Sequence, residues 1–192
     1  RLTEGESAPK FKTEDVRGQE LKLNQIIKNK SKTLLVFLRH AWCPICNVRS
    51  HELINRFDEL DEAGFNVVVI YQSKKESLNE YAKDHDLPYH VVSDPDGELY
   101  KLYKVEFNLQ KVKKDFTENE KTKRLFAKGV KLFKKDFKTY IDETDGNSDL
   151  IPADFVINSS GKIEKAYYGK YVGDHLPLDL ILSTEEQPVT YE

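Results

Sequence analysis

The chain has 192 residues, of which 39% are hydrophobic and 33% charged, and a formal net charge of −3. That balance describes a chain able to bury a core and excludes a disordered one. It supplies no overall field for nucleic acid or a membrane surface, and no apolar run approaches the roughly 20 residues of a membrane span. With two cysteines a multi-disulfide framework is excluded. The sequence contains no methionine, which leaves room for a removed leader; the expectation carried forward is a cytoplasmic protein.

Two runs are apolar almost without alternation, Thr33–Leu38 (TLLVFL) and Phe65–Tyr71 (FNVVVIY). Such β-branched runs suit central strands covered on both faces, as in a parallel sheet. The segment from Pro44 to Gly64 between them has the length of one crossover helix, which completes a right-handed βαβ unit. A second helix is expected after Tyr71, with Ser73 as N-cap and Glu76 closing a capping box. Pro88 ends it, Tyr89–Asp94 reads as the next strand, and the Asp-Pro-Asp-Gly from Asp94 is a turn into a short helix.

From Asn108 to Asp149 the composition changes to a lysine-rich stretch with interleaved aromatics. Phe116, Phe126, Phe133 and Phe137 there would pack on the domain while the lysines stay in water. Acidic residues interrupt the basic ones, so a nucleic-acid surface is not expected. Ile151–Tyr171 then reads as a β-hairpin around a Ser-Ser-Gly turn, and Leu176–Ser183 as a closing helix. The order is β-α-β-α-β, insertion, β-β-α. The expectation is one α/β domain with a mixed central sheet flanked by helices. Its core spans about residues 5–183, with an N-terminal extension, an insertion at 108–149 and a flexible tail at 184–192.

Both cysteines lie in Arg39–Ser50 (RHAWCPICNVRS), directly after the first strand. Pro44 suits the first helical position, where its missing N–H costs nothing. Cys43 is then the N-cap, with its sulfur near the unpaired N–H groups of Ile45 and Cys46. Those donors and the helix dipole favour the thiolate. Cys46, one turn on, falls on the inward face with Leu53, Phe57 and Leu60. An exposed attacking thiol beside a sheltered resolving one is the expected arrangement.

Two plainer readings compete. Both cysteines could be small buried hydrophobes, leaving a non-catalytic interaction module. Alternatively His40, Cys43, Cys46 and His51 offer four zinc ligands, but His51 is five residues after Cys46 and turns about 140° away on a helix.

Three stretches, LLVFLRHAWCPICNVRSHEL, LPYHVVSDPDGELYKLYKVE and LIPADFVINSSGKIEKAYYGK, together resemble the AhpC/TSA peroxiredoxin-like branch of the thioredoxin superfamily. The resemblance implies a thioredoxin-like fold with no bound cofactor or metal. It implies a cycle in which Cys43 attacks a peroxide or a disulfide and Cys46 closes an intramolecular disulfide. An external thiol reductant, thioredoxin or glutathione, would reopen it, in a monomer or a homodimer. It also places Trp42 as the tryptophan before the dithiol and makes Pro152 the late proline that is cis and faces the thiols.

The departures from that pattern matter. Typical peroxiredoxins carry Pro and Thr seven and three residues before the attacking cysteine, and an arginine on the late strand; here stand Val36, His40 and Pro152. Arg39 and His40 are therefore the candidate donors to a peroxide oxygen. The buried thioredoxin aspartate is replaced by Phe37, which leaves Asp154 and Glu52 as candidate acids by nearness in sequence alone.

Overall fold

The computed structural model describes residues 1–134, 136, 138 and 145–183. The N-terminal extension forms a two-stranded hairpin, β1 (Lys12–Glu14) and β2 (Glu20–Lys22), leading into α1 (Leu23–Asn29). The core then runs β3 (Lys32–Leu38), α2 (Pro44–Asn55), α3 (Phe57–Glu62), β4 (Phe65–Tyr71), α4 (Lys75–Asp84), β5 (His90–Ser93) and α5 (Glu98–Leu102). After helices α6 (Leu109–Glu118) and α7 (Glu120–Leu132) come β6 (Ala153–Asn158), β7 (Ile163–Tyr168) and α8 (Leu178–Leu182).

The five main strands lie in the order β5-β4-β3-β6-β7. Pairs β3/β4 and β4/β5 are parallel, as a helical crossover requires, whereas β3/β6 and β6/β7 are antiparallel. This is the expected mixed sheet. β3 sits at its centre and is buried on both faces, with Leu34, Val36 and Leu38 in the layer under α2, and Leu35 and Phe37 in the layer under α5. The two-residue period of a strand thus sorts one continuous apolar run into two cores. Phe37, where a thioredoxin aspartate would stand, is wholly buried against Tyr100, Tyr103 and Phe155.

Three local expectations are corrected. The crossover is two helices, because Arg56 leaves helical geometry (φ −115°, ψ 17°) while its guanidinium bonds Glu59 and Asp179; no glycine or proline advertises that break. Ser73 does not cap α4, whose N-cap is Lys74. Its hydroxyl instead accepts the Ala41 N–H at 2.9 Å, so a polar side chain read as a local cap serves a tertiary contact. The Ile151–Pro152 bond is not cis, since no described peptide bond is. The Ile151 N–H donates to Glu106 and the Pro152 carbonyl accepts from Gly169, which holds the trans chain extended into β6.

The insertion is a helical pair laid across the start of α2. Gly129 of α7 lies so close that a Cβ there would stand 1.8 Å from the Pro44 carbonyl oxygen, and Asn47 donates to the Gly129 carbonyl at 3.3 Å. Phe116 and Phe126 meet edge to face and Phe133 is buried, as expected of these aromatics; Phe137 and residues 184–192 lie outside the described residues. No helix among the described residues is long and apolar enough to cross a membrane.

Candidate active site

The loop from Leu38 to Cys43 is fixed almost group by group. Tyr100 donates its hydroxyl to the Leu38 carbonyl, Gln72 N–H to the Arg39 carbonyl, and Cys43 N–H to the His40 carbonyl. Trp42 Nε1 donates to Asp145 at 3.1 Å and Arg39 Nη2 to Ser148, both carbonyls at the C-terminal end of the insertion. The strand end therefore delivers Cys43 to one position, with segment 145–148 strapped across it.

Cys43 is the N-cap of α2 and Pro44 its first helical residue, as expected. The Cys46 N–H donates to Cys43 Sγ at 3.3 Å, and Arg39 Nη1 lies 3.8 Å from the same sulfur. The Arg39 backbone N–H donates to Cys46 Sγ at 3.3 Å. Both thiols are free, and their sulfurs lie near disulfide distance.

The electrostatics divide the pair. Burial opposes a Cys43 thiolate, but the Cys46 thiol, the Arg39 charge and the N–H groups of Cys46 and Ile45 outweigh it and pull the pKa down to about 6. Cys46 is pushed the other way, first by burial and then by the neighbouring Cys43. Both shifts favour the thiolate on Cys43 and the proton on Cys46.

The expected exposure of Cys43 is wrong: it is 1% exposed, and Cys46 3%. The insertion is the cause. A cavity of about 310 Å³ leads to Cys43, walled by Arg39, His40 and Trp42 on one side and by Val112, Phe116 and Phe126 of the insertion on the other. Pro152 is buried at the start of β6 and does not line this cavity.

His40 is 2% exposed, and its ring lies against Trp42 with centroids 3.7 Å apart. Burial and then the charge of Arg39 hold its pKa well below the usual 6.5. His51 sits elsewhere, against His85 at 5.3 Å. Among the described residues no group of three or more His, Cys, Asp or Glu is placed to hold a metal ion.

Neither acid chosen by nearness is set up as a proton carrier. Asp154 is fully buried and accepts from His175 and from the Leu176 N–H, with Arg49 at 3.6 Å. Burial opposes its ionisation, yet His175 and Arg49 hold its pKa below the ordinary value. Glu52 pairs with Arg49 on the outer side of α2. Sequence reasoning missed the Asp145–Ser148 strap altogether, because it acts through main-chain carbonyls that any residue possesses.

A central mixed sheet with a cysteine pair at the N-terminus of the helix after its middle strand defines a thioredoxin-fold dithiol protein. Residues 5–166 match the sequence model of the AhpC/TSA family, and the chain belongs to that family. It is 31% identical to peroxiredoxin Bcp of Escherichia coli over 104 residues, 54% of this chain and 65% of that protein. Against thiol-disulfide oxidoreductase ResA of Bacillus subtilis it is 24% identical over 105 residues, 54% of this chain and 57% of that protein. The chain thus spans less than two thirds of the length of these curated relatives. In fold it is similar to peroxidoxin BcpB from Mycobacterium tuberculosis, with a TM-score of 0.68 at 15% identity, covering 96% of each chain.

Proposed function

We propose that this protein is a two-cysteine thiol peroxidase. The Cys43 thiolate attacks the distal oxygen of a hydroperoxide; the S–O bond forms, the O–O bond breaks, and the peroxide leaves as an alcohol or water. Sulfur, oxidised by two electrons, is left as a sulfenate, which takes a proton from water to become the sulfenic acid. The Cys46 thiol condenses with it, closing the Cys43–Cys46 disulfide and releasing water, so the proton Cys46 retains leaves with the departing hydroxyl. An external thiol, from a thioredoxin-type protein or glutathione, returns two electrons by disulfide exchange.

The observation that carries the reading is the setting of Cys43, whose sulfur caps α2, accepts the Cys46 N–H at 3.3 Å, lies 3.8 Å from Arg39 Nη1 and lines the cavity. The cover of α6 and α7 favours a hydroperoxide as the first substrate, because a recess of about 310 Å³ leads a small molecule to Cys43. Disulfide exchange is the second reading, supported by the C-x-x-C spacing and the likeness to ResA.

The test is to mix reduced protein with hydrogen peroxide, and separately with an oxidised protein disulfide, and to identify products by mass. Wild type should form the intramolecular disulfide with peroxide, Cys46→Ser should accumulate a sulfenic acid trapped by dimedone, and Cys43→Ser should be inert. Rapid exchange with the protein disulfide and none with peroxide would replace the first reading by the second.

A further inference from the structure

Arg39 carries a positive charge with little to balance it. The residue is 5% exposed. Its Nη2 donates to the neutral Ser148 carbonyl, its Nε is buried without a partner, and Cζ lies 5.8 Å from the centre of the Phe116 ring. Among the described residues no carboxylate pairs with it. The counter-charge the described residues offer is Cys43 Sγ, 3.8 Å from Nη1, when that sulfur is a thiolate. A buried cation is tolerated beside an anion and becomes costly once the anion is removed.

Closing the Cys43–Cys46 disulfide removes it. The guanidinium is then either buried and uncompensated, or displaced with loss of its bond to Ser148 and its contact with Phe116. Either way the oxidised state carries a cost that the reduced state does not. The opposing gain is small, because the bond closes a loop over Pro44 and Ile45 alone and the entropy gained grows with loop length.

We infer that Arg39 makes Cys43–Cys46 a strongly oxidising disulfide, and that its reductant is a small anionic thiol of the glutathione class. This rests on the two-thiol cycle proposed above and names the donor that returns its electrons. In the oxidised state the unpaired guanidinium stands on the wall of the recess of about 310 Å³ that holds Cys43, with Lys113 on the same wall. Both charges draw in a thiolate that bears carboxylates. The first such thiolate bonds the Cys43 sulfur; the Cys43–Cys46 bond breaks, and Cys46 leaves and takes a proton from water. A second thiolate bonds the sulfur of the first, and Cys43 departs as a thiolate beside Arg39. Two electrons have then passed from the two small thiols, now joined as a disulfide, to the protein.

The experiment equilibrates the protein in mixtures of reduced and oxidised glutathione at neutral pH, quenches in acid, and reads dithiol and disulfide by mass. It compares wild type with Arg39→Met, which removes the charge, and Arg39→Lys, which keeps one. Arg39→Met should favour the disulfide about 100-fold more than wild type, a potential about 60 mV lower, and Arg39→Lys should stay within about tenfold of wild type. Urea unfolding of wild type supplies a second measurement that needs no variant. There the reduced form should be the more stable, against the ordinary effect of a disulfide. Excess glutathione, with no protein dithiol present, should reduce oxidised wild type completely. An Arg39→Met equilibrium within about threefold of wild type, or an oxidised wild type more stable than the reduced, overturns the role of Arg39. Oxidised protein that yields only to a protein dithiol overturns the small-thiol assignment. If no oxidant produces the intramolecular disulfide, the two-thiol cycle falls first and this inference with it.

Discussion

Replacing Arg39 by Met tests the origin of the Cys43 thiolate most directly. Nη1 stands 3.8 Å from Cys43 Sγ. At an effective dielectric constant of about 20, a unit charge pair at that separation is worth about 4 kcal/mol, or about 3 pKa units. Without the guanidinium, the Cys46 thiol and the N–H donors still lower the pKa against the same burial, so about 3 units is the upper limit of the rise. The midpoint should therefore climb from about 6 towards the ordinary value of 9.0. Thiolate at pH 7 would drop from roughly nine tenths of the reduced protein to as little as about one hundredth, so alkylation slows by up to about 100-fold at pH 7 and recovers near pH 10. Absorbance at 240 nm against pH reads the midpoint, and iodoacetamide kinetics read the reactivity. A midpoint within half a unit of wild type would refute the claim that Arg39 sets the charge on this sulfur, and would assign it to the helix N-terminus and Cys46.

Three further outcomes follow from the same geometry. The folded-state pKa of Cys43 is depressed, so its contribution to stability is absent below about pH 6, grows between 6 and 9.0, and is complete above; Cys46, raised, begins to oppose it above 9.0. Urea unfolding of the reduced protein should show that rise relative to Cys43→Ser, and parallel curves would contradict it. Asp154→Ala removes a wholly buried carboxylate held by His175 and Arg49 and should cost about 3–5 kcal/mol. Closure of the Cys43–Cys46 disulfide by peroxide should survive in whatever fraction remains folded, and its loss there would revive Asp154 as a proton carrier. Gly129→Val places carbon where the Pro44 carbonyl stands, forcing α7 off α2 at a cost of about 1–3 kcal/mol. It should speed the reaction of Cys43 with a bulky disulfide reagent, and an unchanged rate would show that α7 is not what shields the sulfur.

Much of the site was legible because its chemistry is local. A strand end, a proline and a cysteine three residues before another determine a helix start, and a helix start sets which sulfur caps it and which turns inward. The apolar runs likewise named the central strands, since burial on both faces confines the polar positions of β3 and β4 to Lys32, Thr33 and Asn66 at their N-terminal ends. Ser73 was misread for the complementary reason: a serine before a helix has a good local partner, and only the folded chain presents the competing Ala41 N–H.

By itself the sequence determined the dithiol, the helix that polarises it and the sheet behind it, all governed by neighbours a few residues apart. Tertiary structure alone decided that Cys43 lies under a cover, that Arg39 reaches its sulfur, that Pro152 enters β6 trans, and that His40 is buried against Trp42. Each of these depends on a segment from elsewhere in the chain, the α6–α7 pair or the carbonyls of residues 145–148, closing on the loop before α2. Such contacts are made by shape and by main-chain groups common to every residue, so no side-chain pattern announces them.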